Sequence, residues 1–193
     1  MATQSGRLLL LGGAAIAVTL ALLVLAGAGL PLRAEYTGYT VSGLAPVAPE
    51  INARAPLFDL PGLDGDEVRL ADLAGSPVII NFWATWCAPC RVEMPALQQV
   101  YENHRHAGLR VLAINTGEPP AAVAAWRNDL ALTFDLLLDQ DQQAATRYQL
   151  RGQPSTYVVS PAGIITHIFY GPARETDLET ALALHLSQPG NSP

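Results

Sequence analysis

Residues 81–95 have the sequence Asn-Phe-Trp-Ala-Thr-Trp-Cys-Ala-Pro-Cys-Arg-Val-Glu-Met-Pro, and this stretch decides which fold the chain can adopt. The run 77–83, which overlaps its start, is rich in β-branched and aromatic residues and predicts a strand buried on both faces. The residues that follow, 88–105, predict a helix that is kinked at Pro95. Cys87 and Cys90 therefore lie where a buried strand gives way to a helix.

The spacing of the two cysteines predicts redox chemistry. Residues i and i+3 at the start of a helix are neighbours, so the two sulfurs can form a disulfide without backbone movement. Cys87 lies at the helix N-terminus, where unpaired N–H groups and the positive end of the helix dipole favour a thiolate. Cys90 lies one turn further in and is expected to be more shielded. We therefore predict that Cys87 is the nucleophile and Cys90 resolves the mixed disulfide.

Other uses of the pair fit the sequence less well. A Cys87–Cys90 bond closes a very small loop, so it removes little entropy from the unfolded chain and is a poor structural crosslink. Zinc binding would need His104 and His106, which lie too close together for the usual ligand spacing. Covalent haem attachment needs a histidine after the second cysteine, where Arg91 stands instead. We expect no metal or other cofactor besides the redox-active disulfide.

The remainder of the chain predicts an α/β fold with a mixed sheet. A short hairpin with an Asp-Gly turn is expected over residues 57–60 and 68–70. The other predicted strands cover 109–115, 134–138, 154–160 and 164–170. The other predicted helices cover 120–130, a segment ending near Tyr148 that Asp139 or Asp141 caps, and 176–186.

The N-terminal part has a different composition. Residues 8–30 carry no charged side chain and are almost entirely apolar, which is long enough for a membrane-spanning helix. We predict a signal-anchor or a cleaved signal peptide over residues 1–33, a linker over 34–54, the catalytic domain over 55–187 and a tail over 188–193. Either form of the signal places the domain outside the cytoplasm, tethered to the cell membrane by a single pass if uncleaved, and secreted or periplasmic if cleaved.

The charge of the chain argues against a nucleic-acid partner. Eleven basic side chains stand against 17 acidic ones, which gives a formal net charge of −6. Two of the arginines, Arg7 and Arg33, flank the apolar run, so the remaining chain is more acidic still. A nucleic-acid-binding domain would need a basic face.

Three motifs carry a resemblance to a known family: residues 81–95, the sequence Asn-Thr-Gly-Glu at 115–118, and Gly-Gln-Pro-Ser-Thr-Tyr at 152–157. Together they resemble the TlpA/ResA/CcmG (DsbE) family of thioredoxin-like proteins, with a redoxin or AhpC/TSA-type domain, over about residues 55–186. The resemblance implies a thioredoxin fold: a mixed central sheet flanked by helices, with an N-terminal hairpin and a helix–strand insertion at 119–138. It also implies an exported, usually membrane-tethered thiol–disulfide oxidoreductase.

The resemblance further assigns supporting residues. It implies a cis peptide before Pro154 that turns the backbone of Gln153 toward Cys87, where it could bind an extended substrate. Trp86 is expected to offer a partner an apolar platform, and Pro89 belongs to the motif between the cysteines. Asn81 stands where thioredoxin has a buried acid. Glu93 is the nearest candidate for an acid that tunes the thiols, its alternative being a solvated helix residue.

The working hypothesis is a reductase: Cys87 and Cys90 reduce protein disulfides, and a membrane thiol electron donor recharges the pair. The resemblance points to cytochrome c maturation, with apocytochrome c as the substrate. One alternative is a thiol peroxidase, although such enzymes have a threonine three residues before the cysteine and Thr85 lies two before Cys87. Two others are an oxidant that donates disulfides and a non-catalytic module that binds apocytochrome c.

Overall fold

The structure, a computed structural model, describes residues 45–186. A five-stranded mixed sheet has the order β5-β4-β3-β6-β7, in which β3, β4 and β5 are parallel and β6 and β7 are antiparallel to their neighbours. A separate antiparallel hairpin, β1-β2, precedes it. The strands are β1 (Asp59–Pro61), β2 (Glu67–Arg69), β3 (Val78–Trp83), β4 (Arg110–Thr116), β5 (Asp135–Asp139), β6 (Ser155–Val159) and β7 (Ile165–Tyr170). The α-helices are α1 (Ala88–His104), α2 (Pro120–Leu130), α3 (Gln143–Arg147) and α4 (Glu175–Leu186), with 3₁₀ turns at Leu70–Leu73 and Arg105–Ala107.

The central strand β3 is buried along its whole length because both of its faces are covered. Successive side chains in a strand point to opposite faces, so Ile79 and Trp83 face one side and Ile80 and Phe82 the other. The first face packs in one apolar cluster with side chains of α1, α2 and α4. The second packs with side chains of β1, the Leu70–Leu73 turn and α3. Two layers therefore hold the strand that leads into the cysteine motif.

The predicted α/β fold with a mixed central sheet is confirmed, and each predicted strand and helix within residues 45–186 is present. The N-terminal hairpin is β1-β2, and the insertion is α2 with β5, which forms one edge of the sheet. Neither predicted aspartate is the N-cap of α3, which is Gln142 and makes no side-chain capping bond. Both aspartates still accept hydrogen bonds from the first turn of the helix: Asp139 from the N–H groups of Ala144 and Ala145, and Asp141 from that of Gln143.

The structure differs from the prediction in the last part of the predicted linker, 34–54. The Asn52 N–H donates to the Ile165 carbonyl at 2.9 Å, and the Ile165 N–H donates back to the Ala53 carbonyl at 2.9 Å. Ala53 is buried, and Arg54 forms an isolated bridge with Ile164. This segment thus pairs with the beginning of the edge strand β7. Its sequence gave no strand signal because only two or three residues pair, too few for a periodic pattern.

The predicted membrane segment and the tail from residue 188 onward lie outside the described residues. Among residues 45–186, none of the helices combines the length and the apolar character that crossing a lipid bilayer requires.

Candidate active site

The two cysteines lie at the start of α1, as predicted, and are joined by a disulfide with 5.3 Å between their Cα atoms. Cys87 is the N-cap of the helix, and its Sγ accepts a hydrogen bond from the Cys90 N–H at 3.2 Å. Pro89 occupies the first turn, where a missing N–H costs no intrahelical hydrogen bond. Cys90 is completely buried, whereas Cys87 keeps a small exposed fraction. An attacking partner therefore reaches Cys87 before Cys90.

The two tryptophans of the motif occupy opposite environments. Trp83 is fully buried and contacts the ring of Trp126, with 5.4 Å between the ring centroids. Trp86, directly before the nucleophile, is 73 % exposed. Pro89 is exposed beside it. The apolar surface next to Cys87 is therefore available to a partner protein.

Glu93 is buried in a polar network one turn after Cys90. Its Oε1 accepts hydrogen bonds from the Thr156 hydroxyl at 2.8 Å and the Ala173 N–H at 3.1 Å, and its Oε2 accepts from Asn81 Nδ2 at 2.9 Å. Burial raises the pKa of the Glu93 carboxyl above its ordinary value, although these hydrogen bonds oppose the shift. The alternative of a solvated helix residue is wrong.

Asn81 shares the network without adding a charge. Its Nδ2 also donates to the Thr156 hydroxyl at 2.8 Å, while its Oδ1 has no hydrogen-bond partner among the residues described. Asn81 and Thr156 are directly opposite each other in the β3-β6 pair. The position where thioredoxin has a buried acid thus holds an amide that binds the carboxylate of Glu93 instead.

The peptide bond between Gln153 and Pro154 is cis, as predicted. Phe82 is opposite Ser155 in the β3-β6 pair, so Pro154 lies at the end of β3 from which the cysteine loop departs. The Pro154 carbonyl accepts a hydrogen bond from Gly171 at 2.9 Å. The Gln153 side chain donates to the Thr116 hydroxyl at the end of β4. The fold therefore brings the Gln153–Pro154 segment and the cysteine motif together at the end of the sheet where β3 and β4 finish.

A second carboxylate, Glu118, contacts the loop before the nucleophile, and sequence analysis gave it no role. Its Oε2 accepts the Thr85 N–H at 2.7 Å and Asn115 Nδ2 at 2.7 Å, and its Oε1 accepts the Thr85 hydroxyl. Partial burial acts to raise the pKa of Glu118, but the hydrogen bonds from Thr85 and Asn115 outweigh it and hold the pKa below its ordinary value. The sequence predicts that one strand ends just before residues 84–86 and another just before residues 116–118. Only the strand order, in which β3 and β4 are parallel neighbours, brings these two segments together.

The sequence profile of the AhpC/TSA family matches residues 51–168. The chain is a member of the AhpC/TSA family. Within this family, the thiol–disulfide oxidoreductase ResA of Geobacillus kaustophilus is 35 % identical over 147 residues, covering 76 % of this chain and 84 % of the relative. ResA of Bacillus subtilis is 31 % identical over 138 residues, covering 72 % and 76 %.

Solved structures show the same architecture. A Chlorobium tepidum protein described as a thiol:disulfide interchange protein DsbE has a TM-score of 0.67 and 27 % identity, covering 72 % of this chain and 99 % of that one. A secreted Mycobacterium tuberculosis disulfide oxidoreductase homologous to DsbE has a TM-score of 0.61 and 26 % identity, covering 66 % and 95 %. The chain has a thioredoxin fold and is a thiol–disulfide oxidoreductase of the AhpC/TSA family, with a close Cys87–Cys90 pair.

Proposed function

We propose that this oxidoreductase works as a protein-disulfide reductase. The Cys87 thiolate attacks one sulfur of a substrate disulfide; that S–S bond breaks, a mixed disulfide forms, and the departing thiolate takes up a proton. Cys90 then loses its proton and attacks Cys87 Sγ, which releases the second substrate thiol. The substrate has gained two electrons and two protons, and Cys87–Cys90 is left as a disulfide.

The observation that carries this proposal is the unequal burial of the two sulfurs at one helix N-terminus. Cys87, the N-cap, keeps some exposure beside Trp86, while Cys90 is completely buried. Glu93 lies one turn after Cys90 on α1 and is buried, and we assign to its carboxylate the role of taking the proton that Cys90 releases. Burial raises the pKa of the Glu93 carboxyl, so this group takes up a proton more readily than an exposed carboxylate does.

The proposed setting is outside the cytoplasm, with residues 8–30 as a membrane anchor or cleaved signal. Its support is the uncharged apolar run itself and the relatives named ResA and DsbE. The family resemblance supports reduction of the haem-attachment cysteines of apocytochrome c during cytochrome c maturation. Continued turnover then requires a membrane protein whose own dithiol reduces the Cys87–Cys90 disulfide.

The test is to trap the first intermediate. Purified full chain carrying Cys90→Ser is mixed with a synthetic apocytochrome c peptide whose two haem-attachment cysteines form a disulfide, and the products are separated under non-reducing conditions. We expect a mixed disulfide through Cys87 that an alkylating quench preserves. The resolving thiol of the enzyme is absent, and alkylation blocks the freed peptide thiol, which would otherwise reverse the attack. Cys87→Ser is the matched control and should give no adduct. An adduct with Cys87→Ser, or none with Cys90→Ser, contradicts the proposed roles.

A thiol peroxidase is the second candidate because the N-terminal hairpin and the sequence Leu-Ala-Gly-Ser-Pro at 73–77 resemble those of peroxiredoxin-type domains. Peroxidase chemistry would use a threonine hydroxyl near the attacking sulfur. Here the Thr85 hydroxyl donates to Glu118, and Cys87 pairs with Cys90 in its own helix turn. Consumption of peroxide in proportion to oxidised enzyme, at rates above those of free thiols, would favour the peroxidase.

A further inference from the structure

The loop that presents the nucleophile is short and has one strong side-chain anchor. It comprises Ala84, Thr85 and Trp86, between the end of β3 and the N-cap Cys87. Trp86 is 73 % exposed and gives the loop little packing. Glu118 binds both the N–H and the hydroxyl of Thr85, one with each carboxylate oxygen. Two hydrogen bonds to one carboxylate restrict both the backbone and the side chain of the residue two positions before Cys87.

Glu118 is itself held in place by the ends of two strands. Its N–H donates to Asn115 Oδ1 at 3.1 Å, and Asn115 Nδ2 donates back to its carboxylate at 2.7 Å. Its carbonyl accepts a hydrogen bond from the Gln140 side chain, which follows β5. Asn115 is fully buried and is opposite Trp83 in the β3-β4 pair. The carboxylate is therefore a fixed bridge between the cysteine loop and the neighbouring strand.

We propose that Glu118 is a positioning residue that acts through Thr85 to keep Cys87 within bonding reach of Cys90 when the pair is reduced. This inference deepens the proposed reductase function and rests on it. Glu118 contacts neither sulfur by any hydrogen bond of the structure, so it is not a catalytic residue.

The reduced state is where this contact matters. In the oxidised protein the S–S bond fixes Cys87 relative to Cys90 without help. Without the S–S bond, Cys87 is held by its N–H bond to the Ala84 carbonyl at 3.2 Å, by the Arg91 N–H bond to its carbonyl at 3.3 Å and by the weak Cys90 N–H bond to its sulfur. The Glu118–Thr85 contact is the side-chain anchor of the loop before it. A loop that holds the two thiols together raises their effective concentration toward each other. The disulfide then forms more readily, so the dithiol is the stronger reductant.

The test compares three substitutions in the purified full chain, each equilibrated with glutathione buffers of known potential. For Glu118→Ala we expect the equilibrium to shift toward the dithiol by about tenfold, which is about 30 mV toward a less reducing potential. Glu118→Gln should shift it by less than about twofold, because the amide oxygen can still accept the Thr85 N–H and the NH₂ group can donate to the Thr85 hydroxyl. Thr85→Val, which loses only the hydroxyl contact, should fall between them.

A double variant and a matched control separate positioning from general destabilisation. Glu118→Ala combined with Thr85→Val should shift the potential no further than Glu118→Ala alone, because the two substitutions remove the same Glu118–Thr85 contact. Glu179→Ala is the control: Glu179 binds Asn103 and His104 at the opposite end of α1, so its loss leaves the cysteine loop unchanged. We expect no shift in its potential.

Three results would overturn the inference. Glu118→Ala could keep the wild-type potential or shift it to a more reducing value. Glu118→Gln could shift it as far as Glu118→Ala, which would assign the effect to charge and not to position. If Glu118→Ala does not fold, Thr85→Val decides, and an unchanged potential in that variant contradicts the inference. An oxidising potential in the wild type would instead reject the proposed reductase function, while the shift in Glu118→Ala would still test the loop.

Discussion

Glu93 and Glu118 flank the same disulfide, yet the two carboxylates differ in burial, in partners and in the direction of their pKa shifts. Glu93 accompanies the resolving Cys90 and is completely buried, and that burial raises its pKa in spite of three hydrogen bonds. Glu118 accompanies the loop of Cys87 and is half-buried. Its burial also acts to raise the pKa, but the donors on Thr85 and Asn115 outweigh that effect and lower it.

This difference separates two tasks that sequence alone would give to any acid near a cysteine. A carboxylate whose charged form is disfavoured takes up a proton more readily than an ordinary carboxylate, which suits the side of the resolving cysteine. A carboxylate whose charged form is favoured stays ionised and keeps its hydrogen bonds, which suits the positioning of a loop. The surroundings of each acid, more than its distance in sequence from a cysteine, set its role.

The largest expected difference between the two carboxylates is in how much each contributes to the free energy of unfolding. Glu93→Ala leaves the buried donors on Asn81, Thr156 and Ala173 without their acceptor, and we expect it to lower the free energy of unfolding by about 3 kcal/mol. Glu118→Ala should cost only about 1 kcal/mol, because Thr85 is half-buried and water can replace the carboxylate at its N–H and hydroxyl, which leaves Asn115 as the one fully buried donor. Denaturant unfolding of the two variants measures this. Glu93→Gln, which keeps the shape and one acceptor, should lose less than Glu93→Ala. Equal losses for the two alanine variants would contradict the contrast in burial.

Binding of a protein substrate should depend on the exposed apolar surface next to Cys87, which includes Trp86. Trp86→Ala is expected to lower kcat/KM for a protein disulfide about tenfold, since exposed aromatic residues often carry a large share of binding energy. Reduction of a small neutral disulfide should be nearly unchanged. Val92→Ala is the matched control, because Val92 on α1 is also 73 % exposed. An equal loss with Val92→Ala would show that the partner surface is not centred on Trp86.

The smallest expected effect is a difference in how the two acids link stability to pH. The lowered pKa of Glu118 means that its stabilisation is present above pH 4.5, the ordinary value, and is lost as pH falls through the lowered value. The raised pKa of Glu93 has the opposite consequence: relative to Glu93→Gln, its stabilisation is complete below pH 4.5 and is lost as pH rises through the raised value.

Unfolding free energies of wild type, Glu93→Gln and Glu118→Gln across this range check both signs. The Glu118→Gln difference should change on the acid side of pH 4.5, and the Glu93→Gln difference on the alkaline side. If the effects of Glu93→Gln and Glu118→Gln on the unfolding free energy change over the same pH range, the pKa values of the two carboxyls are not shifted in opposite directions.

Local features of the sequence were sufficient for the framework of the site. The junction between an apolar strand and a helix placed Cys87 at an N-cap, and the pattern of residues 77–83 identified Trp83 as core. The position of the cis peptide before Pro154 came from the family resemblance, because an X-Pro bond by itself is compatible with either isomer.

Features that depend on contacts between distant segments could not be predicted. The burial of Glu93 requires the register that places Thr156 opposite Asn81 and the loop that brings the Ala173 N–H over the helix. Neither is visible in the sequence around residue 93, so the solvated alternative was equally consistent with it. The contact between Glu118 and Thr85 required the order of parallel strands. The pairing of residues 52–54 with the beginning of β7 was missed because so short a segment has no hydrophobic periodicity.

The central claim, that Cys87 and Cys90 form a reducing couple, is tested most directly by redox titration of the full chain. Trp86 adjoins Cys87 and provides a fluorescence signal for the state of the pair. We predict a single reversible two-electron transition with a midpoint near or below about −220 mV, which makes the dithiol a reductant in an oxidising compartment. A midpoint near about −120 mV, the range of strong disulfide donors, would contradict the account by reversing the direction of electron flow.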